Sequence, residues 1–446
     1  MMKVKLKKVL IVTSTLILIS GAFTNFSKVY ARSNWAYAAG LKYDVPDNIF
    51  DMNPTNQCNK ALAAYSNAGF ATGGHLNPDK ITLWENLYAT VQYFTGHGGV
   101  NFILLGNSGI LNGSDETVTV TTDNGKTVFS DVQFVGTNSV HWDADTDLVS
   151  YLACNTAGTD GNVASDSLAR STCYKGATVV LGFTTEVNTV SLESWSNRYN
   201  EKLGQGYGVD DALKYANSAN YLFNNVKNGV LWHHGDSNIK IGKYSSSSKN
   251  KSVSTQNTVN MADNRLIYNY NATKTNEVYY YSDIENKLAE IYDNFDVNNY
   301  VIDKNTSYCY DINTNLPTEE NVYYDYKLKI GDYITNAGYT VKLENGIITE
   351  IYDNNIDLKK QEELLKENDL FKANISEQEL ATYKLNLNAS IATKYDNKIN
   401  ISENDNTFYY DIENDKKYVV ISCNSEIKID DTTAGKYDDA VMYEID

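Results

Sequence analysis

Two side chains set the chemistry this chain could perform. His97 lies in Gly96-His97-Gly98-Gly99, and Cys154 lies in Ala153-Cys154-Asn155-Thr156-Ala157-Gly158. A thiol attacks as its thiolate, and a neighbouring imidazole raises the thiolate fraction at neutral pH. Gly98 and Gly99 have no side chains, so their backbone N–H groups can approach a carbonyl and stabilise an oxyanion. Such a set suits acyl transfer through a thioester. The pair is 57 positions apart, so only the fold can join it.

Other candidates offer less. Cys173 reads as a core residue of a helix facing a sheet. Cys58, Cys309 and Cys423 show no partner signal, although a Cys309–Cys423 disulfide is permitted in an exported protein. His233-His234 lacks a Cys or Glu at ligand spacing, so no metal site is expected there. His75 and His141 read as loop residues, His141 being a poor second candidate for the base. Asp143, Asp145 and Asp147 begin like a calcium loop but lack its glycine and closing Glu, which favours a solvated acidic turn. Gly106-Asn107-Ser108-Gly109 fails the spacing of a nucleophile elbow.

The elements that must position the pair come from periodicity. Residues 89–95 read as a strand ending just before His97, and 148–153 as a strand ending at Cys154. Residues 177–183 form an apolar run suited to a strand buried on both faces. Helical patterns cover 56–69, 79–87, 162–174, 191–203 and 209–218. Strands alternating with helices predict a three-layer α/β/α sandwich with a mostly parallel sheet. Ligands of such sheets bind outside the carboxyl ends of the strands, where both residues fall.

Length and composition frame this. The 446 residues are 42% hydrophobic and 21% charged, with a net charge of −18, which suits two or three globular domains and disfavours nucleic acid as a partner. Five cysteines exclude a disulfide scaffold. Residues 1–31 read as a secretory signal, with Lys3, Lys5, Lys7 and Lys8, an apolar run, and Val29-Tyr30-Ala31 at the cleavage site. A retained anchor is the competing reading. Removal takes five lysines and no acids, leaving a secreted, soluble chain of net charge −23, with a cell-surface association open to it.

Composition then changes at Ser245-Ser246-Ser247-Ser248. All five Trp and all five His precede this run, and residues from 251 onward carry 36 acids against 19 bases. The expected division is a domain over 32–243, a Ser-rich linker over 244–256, and a Tyr-rich acidic region over 257–446. That last region reads as β-rich α+β, with strands at 278–281, 322–324 and 408–410 and helices at 358–370 and 376–385. Ile291-Tyr292-Asp293-Asn294 and Ile351-Tyr352-Asp353-Asn354 suggest a weak internal repeat. The tyrosines are expected in strand cores and cross-strand pairs.

Strand–His-Gly followed by strand–Ala-Cys resembles the clan CD cysteine peptidases: caspases, clostripain, gingipains, separase and bacterial caspase-like domains. Residues 59–69, 70–77 and 79–98 are similar to the helix–strand–helix–strand lead-in of that family. Residues 164–180 resemble the stretch after its nucleophile. Residues 235–241 resemble its closing "GDP-x-leucine" strand, with Ser237 where proline is usual. The likeness covers about 35–243. It implies a caspase-like fold, His97 as general base, Cys154 as nucleophile, and the backbone amides of Gly98 and Cys154 as oxyanion hole. It also implies a protein or peptide substrate and no cofactor. Clan members that cleave after basic residues carry an acid two positions before the nucleophile. Leu152 stands there, so Glu186 or Asp143, Asp145 and Asp147 are left to supply charge. Two other expectations compete: an inactive caspase-like binding or adhesion protein, and a thiol-dependent transpeptidase.

Overall fold

Short apolar runs build the first sheet. The structure is a computed structural model and describes residues 35–41, 54–105, 108–111, 133–136, 146–249, 264–270, 278–292, 295–354, 358–394, 400–412, 414–428 and 434–445. The expected signal segment, and Asp143, Asp145 and His141, lie outside these residues. In chain order the first region runs β1 (Trp35–Gly40), α1 (Pro54–Asn67), β2 (Ala71–Leu76), α2 (Lys80–Asn86), β3 (Val91–Thr95), β4 (His97–Gly99), β5 (Phe102–Leu105), β6 (Ser108–Leu111), β7 (Gln133–Gly136), β8 (Leu148–Leu152), β9 (Gly158–Thr159), β10 (Asn162–Val163), α3 (Leu168–Tyr174), β11 (Val179–Phe183), α4 (Thr189–Gly204), α5 (Val209–Asn217) and β12 (Gly229–His233).

The central strands pair in the order β2-β1-β3-β8-β11-β12, all parallel except β12, which runs against β11. Strands β3, β8, β11 and β12 are buried at every position, as a sheet covered on both faces requires. On one face α1, α4 and α5 pack Tyr65, Trp195, Tyr199 and Leu213 against Tyr93, Leu152 and Leu181. On the other, Leu83 of α2 and Leu168 and Cys173 of α3 pack against Phe94, Val149 and Val180. The expected α/β layering is present.

The second region adds β13 (Asn264–Asn269), α6 (Ile284–Ile291), β14 (Tyr300–Asp311), β15 (Leu316–Ile330), β16 (Tyr333–Glu344), β17 (Ile347–Asn354), α7 (Leu358–Lys366), α8 (Glu377–Lys394), β18 (Asn400–Asp411), β19 (Lys416–Lys428) and β20 (Ala434–Ile445). Strands β14 to β17 form an antiparallel meander extended by β13, and β18 to β20 form a second. Strand β18 runs parallel to β16 and links the two. Rings fill the first meander: Tyr339 lies 4.7 Å from Tyr292 and 5.7 Å from Tyr300, centroid to centroid.

One sheet passes through both regions. Strand β14 pairs parallel with β12, Val230 opposite Tyr308 and Trp232 opposite Tyr310. At the other end β20 pairs antiparallel with β4, Lys436 opposite Gly98. Polar side chains fasten the join. Lys227 is fully buried against the fully buried Asp325, whose Oδ1 also accepts from Thr340 Oγ1 at 2.7 Å. Lys214 reaches Asp210 at 2.8 Å and Glu319 at 2.5 Å. The Ser245–Ser248 run lies in a 3₁₀ segment, Gly242–Lys249.

Several expectations are corrected. Helix 162–174 shortens to α3, because Asn162 and Val163 instead form β10 against β9 and Ser167 caps the helix by accepting from Arg170 N. Residues 235–241 form no strand; the closing strand is β12, and Gly235 turns the chain at φ +79°. The tetrapeptide repeat fails, since Ile291 ends a helix and Ile351 sits inside a strand. Residues 278–281 contribute only the bridge Tyr280↔Ile347 before a helical turn. His75 lies in the strand β2, not in a loop.

Candidate active site

Parallel pairing fixes where the two candidate residues emerge. Strands β3 and β8 are neighbours in register, with Thr95 opposite Leu152. His97 and Cys154 therefore hold corresponding positions, each two residues beyond the last pair. Within the paired part the inter-strand spacing is about 5 Å. Gly96 N donates to Leu152 O at 3.4 Å, carrying the contact past the strand ends. Below, Thr95 Oγ1 donates to Gln57 Oε1 at 2.8 Å, which anchors the end of β3 to α1.

Gly98 shows why this turn needs glycine. A Cβ built on it would stand 2.5 Å from Cys154 O, 2.8 Å from Ala153 Cβ and 3.1 Å from Thr156 Cγ2. The His97-Gly98 main chain thus packs directly on the main chain of Cys154, and any side chain at 98 would force the two segments apart.

After β8 the chain turns sharply. Asn155 takes φ +59°, a conformation that asparagine tolerates better than most residues. Asn155 N donates to Thr185 O at 3.0 Å and Ala157 N to Phe183 O at 2.8 Å. Thr156 Oγ1 donates to Ala153 O at 3.2 Å and accepts from Phe183 N at 3.2 Å. These bonds tie the Cys154 turn to the end of β11. Val187 N donates to Cys154 Sγ at 3.4 Å and the thiol donates to Val187 O at 3.8 Å, so the main chain of Val187 holds the sulfur from both sides. Glu186 precedes that amide and is half-buried.

The cysteines divide by environment. All five are free thiols, which rules out the permitted Cys309–Cys423 bridge in this structure. Burial pushes the Cys58 thiol up to about 12 and raises those of Cys173 and Cys309 further. Cys309 sits 3.6 Å from Asp210 Oδ1. With Glu319 these make a metal-like trio, but Lys214 already supplies its positive charge. Cys173 packs under the sheet as expected. His233 Nε2 lies 3.0 Å from Thr318 Oγ1, and His234 Nε2 lies 2.9 Å from Cys173 O, so both rings are engaged in joining elements.

Access is the surprise. His97 is 3% exposed and Cys154 5%, and Cys154 is itself a member of the buried apolar cluster that α1 and α4 cover. Sequence reasoning missed Thr156, Val187 and β20 as parts of this site. Only the small residues flanking Cys154 hinted at a tight turn. No protein-family model matches this chain, and no curated protein matches it.

Proposed function

We propose that the chain is a secreted cysteine endopeptidase of the caspase-like, clan CD type. The observation that carries this reading is that His97 and Cys154 each follow the last pair of the adjacent parallel strands β3 and β8 by two residues, with Gly98 packed on the Cys154 main chain. The α/β/α layering and the strand order β2-β1-β3-β8-β11 support it. In doubly wound sheets of this order, ligands bind at the carboxyl ends of the strands.

The residues divide the work as follows. His97 takes the thiol proton, and Cys154 Sγ attacks the peptide carbonyl carbon. The carbonyl oxygen becomes an oxyanion, for which the N–H groups of Gly98 and Cys154 are the donors at hand. The C–N bond breaks as the imidazolium returns its proton to the leaving amine. Water, deprotonated by His97, then hydrolyses the thioester and restores the thiol.

The low exposure of the pair favours a second reading, a binding protein with an unused dyad. The pH profile of Cys154 alkylation by iodoacetamide separates them, read by peptide mapping. A peptidase labels at Cys154 below pH 7 and slows about tenfold in His97→Ala. A profile identical in parent and His97→Ala overturns the peptidase reading. Because a cover over the site scales the rate without changing the shape of the profile, this test is independent of access. Cleavage of a mixed peptide library, with Cys154→Ala as control, reads side-chain preference; amine-capped products would assign a transpeptidase instead.

A further inference from the structure

Strand β20 meets two elements that themselves contact Cys154. Near its start, Lys436 stands opposite Gly98, on the edge of β4 that β5 leaves open. Further along, Ala440 and Met442 pack in one cluster with Val190 at the start of α4. Met442 also shares with Val190, Ser191 and Ser194 the wall of a 420 Å³ cavity. Val190 follows closely after Val187, whose N–H reaches the sulfur. The four steps from Lys436 to Ala440 span about 13 Å of extended chain, the stretch this segment covers between Gly98, which packs on the Cys154 main chain, and the start of α4.

The crossing strand is backed by its own meander. Strand β19 pairs with β20 from Lys417–Ile445 to Lys428–Ala434. It packs Val419, Ile421 and Cys423 with Phe102 and Leu104 of β5, on the hairpin that holds His97. The ladder to β4 has the single registered pair Lys436–Gly98. Strand β20 is thus held along its length by β19, at Lys436 by β4, and through the buried Val441 by Phe102 and Leu104 of β5, so that lifting it opens that local packing without unfolding the central sheet.

A strand edge presents N–H and C=O groups that accept one extended chain at a time. We propose that the edge of β4 receives an unstructured polypeptide segment as an antiparallel strand, and that β20 occupies this position in the intact chain, holding the site closed. This rests on the peptidase reading and adds to it a substrate class and a means of control. A substrate reaches Cys154 by displacing β20, so turnover of the intact chain is limited by how often the strand lifts.

The test uses the full chain. Lys436→Pro removes the backbone N–H at the one registered pair, and Met442→Asp places a charge against Val190 at the other contact. Each variant is expected to label Cys154 with iodoacetamide at least about tenfold faster than the parent, with Cys309 labelling unchanged. A synthetic peptide of residues 434–445, added in trans to Lys436→Pro, restores slow labelling. Equal Cys154 labelling in parent and Met442→Asp overturns the proposal, including the case where Lys436→Pro also exposes Cys309. Faster labelling without cleavage of an unstructured fluorescent peptide keeps the cover and overturns the peptidase reading. Cleavage by the parent at the rate of both variants keeps the peptidase and overturns the cover.

Discussion

The two regions of the molecule use β-structure in opposite ways. In the first, the parallel strands return through helices except between β3 and β8, where the described connection is β4 to β7, and the carboxyl ends gather on one rim, from which the segments carrying His97 and Cys154 leave. In the second, antiparallel strands are joined by hairpins, so strand ends are consumed by turns and what remains to offer is edges and faces. Strands β14 and β20 present those edges to β12 and β4. Parallel topology concentrates reactive side chains; meander topology supplies surfaces for docking. The difference teaches why the thiol and imidazole come from one half of the chain while the strand beside them comes from the other.

The sharpest way to break this division of labour is at the sulfur. Cys154→Ala is expected to lower peptide cleavage by about 10³-fold or more, whereas Cys309→Ala, in the join between regions, leaves cleavage near the parent rate. Comparable losses from both would show that chemistry is not confined to the first region.

Next in size is the join. Lys227→Met leaves Asp325 buried without its counter-charge and should cost about 3–5 kcal/mol in denaturant unfolding. Lys227→Met/Asp325→Leu should recover most of that, since an apolar pair needs no desolvation. Failure of the double variant to recover would mean that the pair fixes the docking geometry. A smaller effect is expected where α8 packs on the second meander. Tyr383 stacks on Tyr443 at 4.0 Å and 11°, and Tyr383→Ala should lose the ring-pair contribution of about 0.5–1.5 kcal/mol beyond its area burial.

The smallest effect is a pH dependence. Burial holds the His233 ring below the usual histidine range, with Asp311 and Asp236 opposing. The folded state therefore favours neutral His233. Its contribution to stability is present above the unfolded value of about 6.5 and is lost as pH falls through the folded value. His233→Asn should flatten the slope of unfolding midpoint against pH between the lowered folded value and about 6.5, and an unchanged slope would assign it elsewhere.

Much of the first region is legible in the sequence because its signals are local. Apolar runs at 89–95, 148–153 and 177–183 become strands buried on both faces, and the His-Gly and Ala-Cys ends follow them directly. Helix 162–174 is misread because Asn162 and Val163 find a partner in Gly158 and Thr159, and pairing of that kind leaves no helical or strand periodicity to detect. The failed repeat has the same origin. Ile291 and Ile351 begin identical tetrapeptides, yet the first follows Leu288 at helical spacing and the second lies between β16 and β13. The cover by β20 depends on partners 250 or more positions apart, and no window of sequence contains both.

The sheet meets the first region twice, at β12 with β14 and at β4 with β20, with the Lys227–Asp325 contact sealed inside. A protease that nicks the chain between residues 250 and 263 would therefore not liberate either half. The two fragments should co-elute as one particle in native chromatography and separate only in denaturant. A cut there would convert a single polypeptide into a two-chain assembly without discharging its regulator.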